Sequence, residues 1–135
     1  MSESEDNMTT EPGAGLTVLL VEDEADIREM LSIALMRRGY AIVEASDTDE
    51  GMDRLAHGGV DLVITDLMMP GGGGWAIIAA AKALPEPPPV VLITGKVEDN
   101  LTPDLMAAGA AGCFQKPFNL REIVTEVGRQ LGRCQ

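Results

Sequence analysis

Apolar runs in this chain end abruptly in groups that can do chemistry. The run from Leu16 to Val21 breaks into Glu22 and Asp23, and "DLVITDLMMP" closes Leu62-Val63-Ile64 on Asp66, just before Pro70 and four glycines. Two further runs end differently: "VVLIT" in the hydroxyl of Thr94, and "GCFQK" in the ammonium of Lys116. A lone carboxylate, an acid pair, a hydroxyl and an ammonium group are the parts needed to hold a phosphoryl group: nucleophile, metal site, hydrogen-bond donor and positive charge. Taken singly, each acid also reads as a solvated strand end or a helix cap, Thr94 as a strand end and Lys116 as a solvated surface lysine. The chemistry depends on bringing them together.

The elements that must do so follow from periodicity. "LTVLLV", "AIVEA", Val60 to Thr65, "VVLIT" and "GCFQ" are short, largely aliphatic strands. Helical spacing runs through Ile27, Met30, Leu31, Ala34 and Leu35, and Arg37, Arg38 and Gly39 close that helix. "SDTDEGMDRLAHGG" reads as the second helix, with Ser46 as its cap and Gly58-Gly59 as its stop. "WAIIAAAKAL" is the third, "PDLMAAGA" the fourth with Pro103 in its first turn, and Asn119 with Glu122 opens the fifth. Strands apolar on both faces, each followed by a helix, demand a parallel sheet covered on both sides: an α/β sandwich. In strand order 2-1-3-4-5 the first and third strands are neighbours where the order reverses, and ligands bind beyond the carboxyl ends there. That order gathers Glu22, Asp23 and Asp66.

Such a gathering needs compensation. Two unit charges ~4 Å apart repel by about 4 kcal/mol at an effective dielectric of 20. Either a cation neutralises the acids or some keep their protons. Mg²⁺ suits best, because it binds through one or two carboxylates and keeps waters that a phosphoryl group can replace.

Composition sets the outer limits. With 45% hydrophobic but only 3% aromatic residues in 135, the chain carries one aliphatic core. We expect an acidic, disordered leader over residues 1–15 and one domain over 16–133. A formal net charge of −12 argues against direct nucleic-acid binding, which needs clustered Lys and Arg. Cys113 and Cys134 have neither metal nor disulfide-framework spacing, which fits a reducing cytoplasm. No signal peptide or membrane span is legible.

The pieces "VLLVEDE", "DLVITDLMMPGGGGW", "VVLITGK" and "GCFQKPF" together resemble the response-regulator receiver domain of two-component signalling, from Leu16 onward. The resemblance implies a flavodoxin-like (βα)5 fold and a phosphoacceptor role for Asp66, served by a histidine kinase or phosphotransfer protein. It implies Mg²⁺ bound by Asp23 directly, by Glu22 through water, by Asp66 and by the backbone carbonyl of Met68. It makes Thr94 the switch hydroxyl and Lys116 the phosphoryl partner, with a cis bond before Pro117. The output would be the surface of the fourth helix, fifth strand and fifth helix, used for partner binding, onward relay or weak dimerisation; a monomer is equally open. Such a domain catalyses only its own phosphorylation and dephosphorylation.

Three departures from the family pattern stand out. Cys113 occupies the place of a switch aromatic, and alternation sends Phe114 to the opposite face; Cys113 reads as a small core residue. Gly73 stands where an acid is common, in a loop that four glycines should loosen. It is not a nucleotide-binding loop, since no Lys-Ser or Lys-Thr follows. Met68 lies where a polar side chain can align a hydrolytic water, and Lys96 sits beside the same opening, so a long-lived phospho-form is expected.

Two other classes compete. An aspartyl phosphohydrolase of the haloacid-dehalogenase type needs a second acid two residues after its nucleophile, and Met68 is there instead. A receiver that is never phosphorylated needs none of the site groups, and all are present. His57 reads as a helix-end surface residue, Trp75 as packing at the start of the third helix, and Met30, Met36, Met52, Met68, Met69 and Met106 as core fillers. The last helix ends about Leu131, so the output is expected to be an interaction. The sequence leaves open whether the chain is a piece of a longer regulator or hybrid kinase.

Overall fold

Five parallel strands form one sheet in the order β2-β1-β3-β4-β5. A computed structural model of the chain describes residues 15–95 and 101–132. Residues 1–14 of the expected leader, Lys96 and Cys134 lie outside them. The strands are β1 (Thr17–Val21), β2 (Ala41–Ala45), β3 (Leu62–Asp66), β4 (Val90–Thr94) and β5 (Gly112–Gln115). Helices α1 (Ala25–Met36), α2 (Thr48–His57), α3 (Gly73–Lys82), α4 (Leu101–Ala108) and α5 (Leu120–Gln130) alternate with them. This is the doubly wound α/β fold expected from the strand pattern.

Alternation along the strands builds two cores. Leu19, Val21, Val63, Val90 and Leu92 point to one face and pack with Leu55 of α2, Ile77 and Ile78 of α3 and Leu105 of α4. Val18, Leu20, Leu62, Ile64, Val91 and Ile93 point to the other, against Leu31 and Leu35 of α1 and Ile123, Val124 and Val127 of α5. Every residue of β3 and β4 is buried, whereas the edge strand β2 is covered only in part. Cys113 and Phe114 divide as expected, Cys113 against the first core and Phe114 against the second. Registers such as Val21 beside Thr65 and Asp66 beside Ile93 bring the ends of β1, β3 and β4 level.

Several expectations need correction. The cap of α2 is Asp47, whose Oδ1 accepts from the Glu50 N–H at 2.7 Å; Ser46 instead donates N–H and hydroxyl to Glu50 Oε1. The third strand begins at Leu62 and includes Asp66, because pairing with Ile93 carries the ladder to the acid. Helix α3 starts inside the glycine run at Gly73, and α4 starts at Leu101, ahead of Pro103. Met69 is buried, but Met30, Met36, Met52, Met68 and Met106 are exposed, as they stand off the helix faces that meet the sheet or on the loop after β3. Trp75 is 40% exposed and lines an open groove with Ile78 and Ala108. His57 is exposed at the end of α2, as expected.

Candidate functional site

The ends of β1, β3 and β5 meet in one crevice. Carboxylate oxygens of Glu22, Asp23 and Asp66 lie within 4.8 Å of one another. Glu22 is 1% exposed and Asp66 6%, at the ends of the two central strands β1 and β3. Lys116 reaches in from the end of β5: its Nζ is 2.9 Å from Asp66 Oδ2 and 3.4 Å from both carboxylate oxygens of Glu22. The backbone sets that reach, since the Lys116 N–H donates to the Thr94 carbonyl at 2.7 Å, and the Lys116–Pro117 bond is cis. Thr94 is fully buried at the end of β4. The Met68 N–H donates to Asp66 Oδ1 at 3.2 Å, while its side chain is 70% exposed.

Three groups that sequence reasoning did not single out complete the frame. Glu24, the third acid of "EDE", places Oε1 3.0 Å from Lys116 Nζ. Arg28 donates from Nη1 to the Glu22 carbonyl at 2.6 Å and from Nε to Glu44 at 3.0 Å, tying α1 to the ends of β1 and β2. Thr48, fully buried, accepts the Gly73 N–H at 3.1 Å and so holds the loop after Asp66. The only sequence signal for Glu24 was its place in the acid run. Arg28 and Thr48 look like ordinary helix residues until the fold is known.

Charge is unbalanced here: Lys116 answers four carboxylates. Burial pushes the Glu22 carboxyl up from 4.5 to about 7; the Glu24 N–H that it accepts at 3.0 Å opposes this, and the Asp66 charge adds to it. Burial works to lower the Lys116 pKa, but hydrogen bonds to Asp66 and Glu24 outweigh it and hold the ammonium well above the usual lysine range. Buried Glu22 Oε1 has no hydrogen-bond partner despite the nearby ammonium. An orphaned carboxylate oxygen, in a set of hard oxygen donors with excess negative charge, fits a divalent cation.

Fold and site together define a doubly wound domain built around a buried aspartate that is paired with a lysine and flanked by two further acids. The chain belongs to the response regulator receiver domain family, whose model matches residues 18–128. It is thus a receiver domain of two-component signalling, and such domains bind Mg²⁺ at an acidic cluster of this kind. Among similar proteins, the phosphate regulon transcriptional regulatory protein PhoB of Pseudomonas aeruginosa is 34% identical over 121 residues, covering 88% of this chain and 53% of that protein. The response regulator receiver protein CpdR of Brucella abortus is 32% identical, covering 84% of this chain and 95% of its own length. The structure of the Vibrio cholerae chemotaxis protein CheY4 superposes with a TM-score of 0.79 at 28% identity, covering 87% of this chain and all of that one. The chain thus spans about half of the first of these relatives and nearly all of the second. Among the described residues, no helix is long and apolar enough to cross a membrane.

Proposed function

We propose that the domain accepts a phosphoryl group on Asp66, with Mg²⁺, from the phosphohistidine of a histidine kinase or phosphotransfer protein in the cytoplasm. The observation that carries this reading is Lys116 Nζ at 2.9 Å from the nearly buried Asp66 Oδ2, with Glu22 and Asp23 beside it. In the transfer an Asp66 carboxylate oxygen bonds to phosphorus and the P–N bond breaks. The electron pair leaves with the imidazole, whose other ring nitrogen carries the proton that keeps it neutral. Asp23, Asp66 and the Met68 carbonyl would hold the ion, with Glu22 reaching it through water. When bound, Mg²⁺ supplies the positive charge that offsets the phosphoryl oxygens.

Lys116 then pairs with one phosphoryl oxygen and the Thr94 hydroxyl donates to another. Movement of Thr94 is passed to the α4-β5-α5 surface, where Cys113 packs in place of an aromatic side chain, and that surface binds a partner or relays the phosphoryl group. The domain turns over no substrate other than its own acyl phosphate. Met68 offers the opening no polar side-chain group beyond a weak thioether, so hydrolysis is slow.

Incubation with acetyl phosphate and Mg²⁺, read by intact mass, tests this. A phosphoryl adduct should form, vanish in Asp66→Asn, and decay faster in Met68→Asn than in the parent. An adduct that persists in Asp66→Asn would sink the reading.

A further inference from the structure

Glu24 stands at the N-cap of α1 with extended backbone (φ −88, ψ 113), yet its side chain makes no capping hydrogen bond. Short polar residues at this position return to the first turn and accept its N–H groups. Glu24 is longer, and its Oε1 spans the crevice to Lys116 Nζ, 92 residues away in sequence and 3.0 Å in space. An ammonium has three donors. Here three carboxylates surround it: Asp66 at 2.9 Å, Glu24 at 3.0 Å and Glu22 at 3.4 Å. Asp66 and Glu22 are nearly buried and fixed by their strands, whereas the Glu24 side chain is 60% exposed. A phosphoryl group on Asp66 needs the same ammonium, and each hydrogen bond that Lys116 keeps to Glu24 is withheld from it.

We propose that Glu24 is a positioning residue: it shares Lys116 with Asp66 and thereby sets how tightly the site takes up a phosphoryl group. This rests on the reading of Asp66 as the phosphoacceptor. Neutralising Glu24 frees Lys116 for the phosphoryl oxygens, so uptake tightens. The expected change is about 1.5- to 2.5-fold, the scale of a partly exposed ion pair.

The test is a beryllofluoride titration at saturating Mg²⁺, followed by the fluorescence of Trp75, the chain's only tryptophan. The proteins compared are the parent, Glu24→Gln, Lys116→Met, the double variant and Asp66→Asn. Glu24→Gln should lower the half-saturating concentration in the parent background and leave it unchanged in Lys116→Met. No change in the parent background overturns the proposal, and so does an equal change in both, which would make Glu24 a diffuse charge. If Lys116→Met binds too weakly to titrate, the ligand-free protein decides. The ¹⁵N resonance of the Lys116 ammonium should then move in Glu24→Gln and return in Glu24→Asp, and an unmoved resonance overturns the proposal. A response that survives in Asp66→Asn overturns the functional reading and this inference with it. A response lost in Asp66→Asn but indifferent to Glu24 overturns this inference alone.

Discussion

Asp47 and Asn119 cap α2 and α5 with their own side chains, accepting the N–H groups of Glu50 and Glu122, whereas Glu24 and Gly72 at the heads of α1 and α3 make no such bond. Among the helix starts described, those without a side-chain cap follow β1 and β3, the strands that bring the acids to the crevice. A helix start leaves N–H groups that need partners. At α3 the partners are borrowed: the Thr48 hydroxyl takes the Gly73 N–H at 3.1 Å and the Leu67 carbonyl takes the Gly74 N–H at 2.9 Å. Where the preceding strand brings no acid to the crevice, then, a helix start is secured by its own cap side chain. After the acid-bearing strands, Glu24 is spent on Lys116 and Gly72 has no side chain to offer, so at α3 the fold supplies the partners.

The sharpest way to break this contrast is at Gly73. Its φ is +56, and a Cβ there would sit 2.1 Å from the Leu67 carbonyl oxygen, so both backbone conformation and space require glycine. Gly73→Ala should destabilise the domain by about 2–4 kcal/mol, combining the left-handed penalty with overpacking. Urea unfolding measures it. A loss below ~1 kcal/mol would show that the loop after Asp66 has slack, as the glycine run alone suggests.

A second test uses the acid that the fold buries. The Glu22 carboxyl is raised from 4.5 to about 7, so between those values the native state keeps a proton that the unfolded chain has released. The Glu22 contribution to stability is therefore complete below pH 4.5, falls as pH rises through about 7, and stays low above it. The loss is on the order of 3 kcal/mol in metal-free protein. Thermal unfolding in a chelating buffer should show that slope, Glu22→Gln should flatten it, and added Mg²⁺ should restore stability at pH 8. A flat profile in the parent would mean that Lys116 alone balances the cluster.

Much of this was legible in the sequence, for identifiable reasons. The limits of β2 and β4 follow from aliphatic runs bounded by glycine, proline or serine, and the order of strand-end groups located Glu22, Asp23, Asp66 and Lys116 in one crevice. What escaped required distance or direction. "ASDTDE" offers Ser46, Asp47 and Thr48 as successive cap candidates, and only the backbone selects Asp47, leaving Thr48 to serve a different loop. Apolar character cannot say which arc of a helix meets the sheet, so Met30, Met36 and Met52 were misplaced in the core. Glu24 sat in plain view between Asp23 and α1, but a carboxylate at a cap position announces a cap; its real partner lies on β5's far side of the crevice.

The smallest effects discriminate most finely between the two kinds of helix start. Asp47→Ala removes an acceptor 2.7 Å from the Glu50 N–H, and Asn119→Ala one 3.2 Å from the Glu122 N–H; each should cost about 1 kcal/mol. Glu24→Ala removes no cap. It deletes one partner of an ion pair in which Glu24 is 60% exposed and Lys116 retains Asp66. Solvent screening leaves such a pair worth only a few tenths of a kcal/mol, about 0.2–0.5. Equilibrium unfolding of the three variants at one pH, with Mg²⁺ absent, should therefore separate Glu24 from the other two. A Glu24→Ala loss as large as that of Asp47→Ala would place Glu24 among the local caps and dissolve the contrast. A loss within those few tenths would mean that its carboxylate is held for Lys116 and contributes little to the helix it begins.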